Sequence, residues 1–404
     1  MKTNFLKSQK PFRFTFWTAI FGILLILGLY ATFVRFYYGL GVSTNLSDKF
    51  PWGLWIGFDV LCGVGLAAGG FTMAAMVYIF NIKRLKPIVR PAILTAFLGY
   101  LLVIVALLFD LGQPLRVWHP LIMWNPHSVM FEVGWCVTCY TTVLALEFSP
   151  VVFEKLRMEK PLRWIKNITV PLVILGVIFS TLHQSSLGSL FLIVPEKLYP
   201  LWYSSLLPVH FFVTAVAVGF AMVIFESFLS ARAFNKQLEK PILMEVARIL
   251  VFILAIALLI KIQDITRLDK LGYLFINTTE TWFYWAEVVI GLIIPMIMLA
   301  IPKIRRNDHA LFGGALMVVI GFIMSRLNVS ITGMEAYTQA NYFPSWMEAS
   351  VTLMIVAIGF AAFRFIAKNF PIFEESEPLP AVAQKVIRVN VVKKADLTKK
   401  VTAY

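Results

Sequence analysis

The sequence predicts an all-α polytopic membrane protein with about ten transmembrane helices, on three observations. Of its 404 residues 59% are hydrophobic and only 14% charged, and the mean hydropathy of +0.79 lies far above that of a soluble globular chain. Ten apolar segments are long enough, at ~20 residues each, to cross a ~30 Å hydrocarbon layer as helices. The cations are unevenly placed, with 28 of the 36 Lys and Arg in alternate connections and at the two chain ends. A net charge of +14 would suggest nucleic acid in a soluble chain. Here the location of the charge outweighs its sum, and no nucleic-acid partner is expected.

The segments lie near 15–34, 54–80, 92–111, 128–148, 168–190, 207–229, 246–265, 280–302, 311–331 and 345–367. The first runs into "YATFVRFYYG", which offers no small-residue cleavage site, so it reads as a retained span rather than a signal peptide. With the N-terminus inside, the cation-rich stretches are 1–13, 83–90, 155–166, 232–248, 303–306 and 364–400. The positive-inside rule then puts both termini in the cytoplasm. Residues 1–371 form the integral membrane domain, and 372–404 read as a disordered cytoplasmic tail whose basic end offers a contact for anionic lipid. Cys62, Cys136 and Cys139 all fall inside apolar segments. Cys136 and Cys139 share one helix face, but a metal or cluster site needs about four ligands, so they read as packing and no bound metal is expected.

A duplication is hinted at. Asp110 ends the third segment, Arg116 follows, and Glu132 sits in the fourth; Asp264 ends the seventh, Arg267 follows, and Glu287 sits in the eighth. Two four-helix bundles plus a helix pair would produce this pattern, and so would coincidence among the acidic residues.

Charges inside spans cost about 2.5–3.5 kcal/mol each on insertion scales and mark functional sites by default. Asp59, Asp110, Glu132, His183, His210, Asp264, Glu287 and Arg326 come from eight different spans and share the outer half. Such a ring suggests a polar cavity open to the outer face. The plainer reading is interhelical salt bridges, for example Asp110 or Asp264 with Arg326. Glu147 and Glu226 lie near inner ends, where they reach water. "FPWGLWIGFD" brings Trp52, Trp55 and Phe58 up to Asp59, although interface belts also enrich Trp.

An apolar slot with a few acids and a His suits a quinone headgroup. Its carbonyls need donors such as His183 and Gln184, its ring suits aromatic walls, and its tail enters from lipid. Two-electron redox also moves two protons, which a buried carboxylate can relay. Ser185 and Ser186 can bond back to the helix backbone. Gly63, Gly65, Gly69 and Gly70 permit close helix approach or leave room for a tail.

The motifs "PWGLWIGFDVLCGVGLAAGGF", "VRPAIL", "SVMFE", "LALEFSPVVFEKL", "LHQSSLGSL", "YPLW", "IFE" and "YFPSWME" resemble the NrfD/polysulfide-reductase membrane-subunit family. Within it they are most similar to the HybB-type membrane subunits of periplasmic uptake nickel–iron hydrogenases, over about residues 35–370. The resemblance implies a ten-helix fold of two four-helix bundles plus a helix pair in a bacterial inner membrane. It also implies menaquinone or ubiquinone as substrate near the periplasmic face and no bound haem or metal. The partners it implies are a periplasmic ferredoxin-like iron–sulfur subunit and a catalytic subunit. Asp59, Glu132 and His183 fall on its motif positions, with Glu132 as the proton-transfer carboxylate; His210 matches none of its motifs. Trp52, Trp55, Gln184, Asp110, Asp264 and Arg326 complete the candidate quinone site. The rival readings are a b-type cytochrome, with His183 and His210 as haem ligands, and an ion transporter built on repeats.

Overall fold

Within a bilayer the backbone must satisfy its own hydrogen bonds, so long apolar runs become helices. The computed structural model describes residues 15–194, 197–338 and 341–373. Its ten candidate spans are α1 (Phe16–Tyr38), α2 (Trp55–Ile79), α3 (Lys83–Asp110), α4 (Val129–Leu156), α5 (Thr169–Ser189), α6 (Leu207–Phe234), α7 (Lys240–Arg267), α8 (Thr279–Ala300), α9 (Asp308–Thr338) and α10 (Trp346–Asn369). Each contains most of one predicted segment, and several run on past it where charged residues continue the helix. The expected tail lies, from residue 374 onward, outside the described residues.

Polar side chains set several helix starts. Thr15, Ser128, Thr278 and Asn307 each accept from the amide three residues on, and Ser345 with Glu348 forms a capping box on α10. Arg157 and Asn235, at φ 57° and 51°, end α4 and α6 in the left-handed conformation.

Helices α2–α5 pack as one four-helix bundle, α6–α9 as a second, and α1 lies along α10. Helix α6 joins the bundles by packing on α2 and α5, and α10 also packs on α3. Connections meet in two groups. At one end Arg90 reaches Glu154 at 3.0 Å and the Pro371 carbonyl at 3.1 Å, and Lys240 meets Asp308 at 2.6 Å. At the other, the Asn45 amide donates to Glu348 at 3.0 Å and the Leu54 amide to the Tyr342 hydroxyl at 2.8 Å. The Tyr199 amide there donates to the Gly333 carbonyl at 2.9 Å. The first group is called the terminal end, since Pro371 belongs to it, and the second the opposite end.

Small residues let the helices touch. A Cβ on Gly69 would stand 3.2 Å from the Gly219 carbonyl, which fixes α2 against α6, and one on Gly321 would stand 2.0 Å from the Gly291 Cα. Backbone therefore meets backbone between α8 and α9. Three spans also carry π-helical turns, at Trp55–Cys62 and Ala75–Ile79 in α2, Val289–Ile293 in α8 and Asn328–Thr332 in α9.

Gly321→Val should therefore destabilise the fold by at least the ~1–3 kcal/mol typical of overpacking, because the obstacle is backbone. Gly313→Ala, where a Cβ meets nothing within 4 Å, should be neutral. Unfolding of both variants in detergent, followed by tryptophan fluorescence, checks the contrast.

Candidate functional site

A cavity of about 570 Å³ lies between α2, α3, α6 and α10, a size suited to a small-molecule site. Gly63, Gly99 and Gly359 keep its walls thin, and Leu, Val and Phe side chains make most of the rest. Five polar residues interrupt the apolar lining: Asp59 at one end, Thr95 with Glu226, then Ser230, and the exposed Arg364.

Asp59 sits on the π turn of α2 and is buried, with the Thr352 hydroxyl of α10 donating to its Oδ2 at 2.8 Å. One turn before Thr352, the buried Glu348 accepts from the Tyr342 hydroxyl at 2.6 Å and from the Asn45 and Ser345 amides at 3.0 and 2.8 Å. Burial, reinforced by the Glu348 carboxylate, pushes the Tyr342 hydroxyl well above its ordinary range. Asp110, half-buried at the end of α3, is within electrostatic reach of Asp59, Glu348 and Arg35. The Arg35 guanidinium is tied to the carbonyls of Phe109 and Leu111 at 2.6 and 2.7 Å. A line of polar groups thus runs from the groove at Asp59 to the opposite end.

The second bundle holds a separate cluster. Lys261 of α7 pairs with the buried Glu287 of α8 and lies 4.5 Å over the Tyr284 ring. Glu287 also accepts from Trp202 Nε1 at 3.1 Å and Asn328 Nδ2 at 2.9 Å. Asp264 accepts from Ser204 at 2.6 Å and stands 3.7 Å from His210 and 3.4 Å from Arg267. Lys270, which donates to the Tyr203 carbonyl, is held below the ordinary ammonium range by burial. Arg326 makes no salt bridge with Asp110 or Asp264. It donates to the Phe211 carbonyl and the Thr214 hydroxyl, both at 2.9 Å, and is sandwiched by the Phe211 and Phe322 rings. The alternative reading of an Asp–Arg326 bridge is not met: Arg326 makes cation–π contacts instead, and meets Asp264 only across a cavity of about 30 Å³ that both line.

The first bundle's interior joins a histidine, a glutamine and a tyrosine across helices. His183 Nδ1 meets the Tyr100 hydroxyl at 2.9 Å, and Gln184 Nε2 donates to the Val64 carbonyl at 3.2 Å. Both residues are fully enclosed, and His183 Nε2 and Gln184 Oε1 have no partner. Ser185 and Ser186 bond back to the Thr181 and Leu182 carbonyls at 2.7 and 2.6 Å, as expected.

The eight ionisable groups accordingly occupy distinct places rather than one ring. Asp59 alone of the eight lines the groove; Asp110 stands behind it; His210, Asp264, Glu287 and Arg326 belong to the second bundle. Glu132 is half-buried in the first turn of α4 and lines neither cavity. Trp55 is packed among Phe109, Val351 and Met354 with its Nε1 on the Glu348 carbonyl, and Trp52 meets the Phe191 ring edge-on. Glu147 and Glu226 do not reach water as expected. Helices α4 and α6 continue to Leu156 and Phe234, which places these residues about 12–14 Å inside the helix ends. Glu147 Oε2 and Glu226 Oε1 are buried without partners.

Lys261, Arg35 and Tyr100 are not singled out by the sequence reading. Lys261, three residues before Asp264 in "LLIKIQD", carries a usable signal: a lysine inside an apolar segment next to one bearing Glu287. A haem between His183 and His210 does not fit these positions. His183 has no exposed surface, and His210 lines a cavity of about 30 Å³, which suits one or two waters rather than a porphyrin.

Removing one partner of a buried ion pair typically costs about 3–5 kcal/mol, while replacing both is far milder. Lys261→Met should therefore destabilise the protein by roughly that amount, and Lys261→Met with Glu287→Gln should recover most of it. Detergent unfolding midpoints of the two variants decide this.

The sequence is similar to known proteins over most of its length. Residues 42–339 match the family described as "Polysulphide reductase, NrfD". The chain is 34% identical over 361 residues to the "Probable Ni/Fe-hydrogenase 2 b-type cytochrome subunit" of Escherichia coli K12, covering 87% of this chain and 91% of that one. It is 30% identical over 401 residues to the "Menaquinone reductase, integral membrane subunit" of Nitratidesulfovibrio vulgaris Hildenborough, covering 91% and 94%. It is 25% identical over 413 residues to a selenate reductase subunit of Mesobacillus selenatarsenatis, covering 89% and 94%. The match across most of its length, on ten apolar helices, makes the chain a member of the NrfD family of membrane proteins.

Proposed function

We propose that this protein is the quinone-reactive membrane subunit of a respiratory oxidoreductase complex. The groove carries the reading: an apolar slot of about 570 Å³ whose end nearer the opposite face holds the buried carboxylate of Asp59. A polyprenyl tail fits the apolar walls, and the headgroup meets Asp59 and its Thr352 partner. The relatives named for menaquinone reductase, hydrogenase and selenate reductase support a shared membrane role with different catalytic partners. Menaquinone or ubiquinone is the substrate.

The opposite end faces the periplasm in this reading, since the cation-rich stretches lie at the terminal end. A ferredoxin-like iron–sulfur subunit docks there and exchanges electrons with the headgroup, and a catalytic subunit feeds or drains it. Two protons accompany the two electrons. Asp59 holds or releases one at the headgroup, and Asp110, Tyr342 and Glu348 line its way to the opposite end. Glu132 relays protons at the same end from α4.

Asp59→Asn keeps the Thr352 contact but cannot ionise. In the purified complex it should lower quinone-linked turnover by about 10²-fold or more, the scale of a lost acid–base group, while activity with an artificial electron carrier is retained. Wild-type turnover in Asp59→Asn removes the groove from the mechanism. Glu132→Gln should assemble normally and lose most quinone-linked turnover; an unchanged rate would assign that carboxylate a structural role. Reporter fusions after residue 373 should report a cytoplasmic C-terminus.

A further inference from the structure

We infer that the groove holds a second station for the quinone headgroup, at Glu226 and Thr95, in the half nearer the terminal end. This rests on the reading of the groove as the quinone site and adds to it a place where the reduced headgroup pauses.

Three observations point there. First, Glu226 lines the groove and one of its oxygens, Oε2, accepts from the Thr95 hydroxyl at 2.7 Å, while Oε1 is buried with no partner. Buried polar atoms are nearly always satisfied, and this unpaired oxygen belongs to a side chain of the groove wall. Second, the two carboxylates are far apart. Close contacts put Gly63 level with Val103, Ala67 with Gly99 and Gly70 with Ala96. In that register Asp59 stands level with residue 107 of α3, twelve residues from Thr95, so the two stations are separated by roughly 18 Å along the helices. One headgroup cannot touch both. Third, the groove wall carries the rings of Phe225, Phe360 and Phe363, which suit a flat aromatic headgroup.

The chemistry selects the redox form. In its ionised form Glu226 only accepts, and of the two forms of the headgroup only the quinol, through its hydroxyls, donates. Glu226 therefore binds quinol on its way between the lipid and Asp59, as a binding residue rather than a catalytic one. No electron or proton transfer is assigned to it.

The test is photolabelling of the intact complex with a short-tailed naphthoquinol bearing a diazirine, kept reduced, followed by peptide mapping. Label is expected both at residues 58–63 and at residues 222–230. Glu226→Leu should lose the second label and raise KM for quinol by about tenfold, the worth of one charge-assisted hydrogen bond, with kcat little changed. Label confined to residues 58–63 overturns the second station and leaves the groove as the quinone site. Label at neither stretch overturns both. The wild-type labelling decides the matter even where Glu226→Leu fails to assemble.

Discussion

Water is absent from the hydrocarbon layer, so a buried polar group there is stabilised only by partners inside the protein. That constraint accounts for most of the interior. Glu287 gathers Lys261, Trp202 and Asn328 around one carboxylate. Arg326, which has no acid in contact, is closed in by two rings, a carbonyl and a hydroxyl. Arg35 caps the carbonyls at the end of α3. Asp59 and Glu226 differ from these because each has an apolar groove on one side, and that asymmetry sets them apart from charges that only hold helices together.

The two bundles meet the constraint in different ways. In the interior of α2–α5, Tyr100, His183 and Gln184 make hydrogen bonds across helices. In α6–α9 the interior is built from ions. The bundles abut along α2 and α9, where a Cβ on Gly57 would stand 2.6 Å from the Ser330 hydroxyl. Asp59 is two residues from Gly57, and Asn328, which holds Glu287, is two residues from Ser330. The groove and the ionic cluster therefore share one helix contact.

The spans are legible in the sequence because apolar run length is a local property. The division of the ionisable groups is not, because depth along a helix is readable from sequence while the direction a side chain faces depends on packing. Asp59, Asp264 and Arg326 share a depth and yet point into two cavities. Glu226 escapes the sequence for a related reason: the apolar segment ends at residue 229, whereas α6 continues to Phe234 and carries the carboxyl deeper. Lys261 stands out in the sequence as a lysine inside an apolar segment, but its partner Glu287 is fixed only by packing.

The π turn at Trp55–Cys62 has a consequence for comparing this chain with its relatives. A π turn accommodates an extra residue in a helix, so every side chain after it is rotated relative to a regular α-helix. A helical wheel drawn through α2 from Trp55 at 3.6 residues per turn would therefore assign the wrong faces from Cys62 onward. Two related chains that differ by one residue within this span can keep both Asp59 and the glycines below it in place. An alignment gap in the middle of a transmembrane helix, ordinarily a sign of error, is here a structural possibility that leaves both ends of the helix in register.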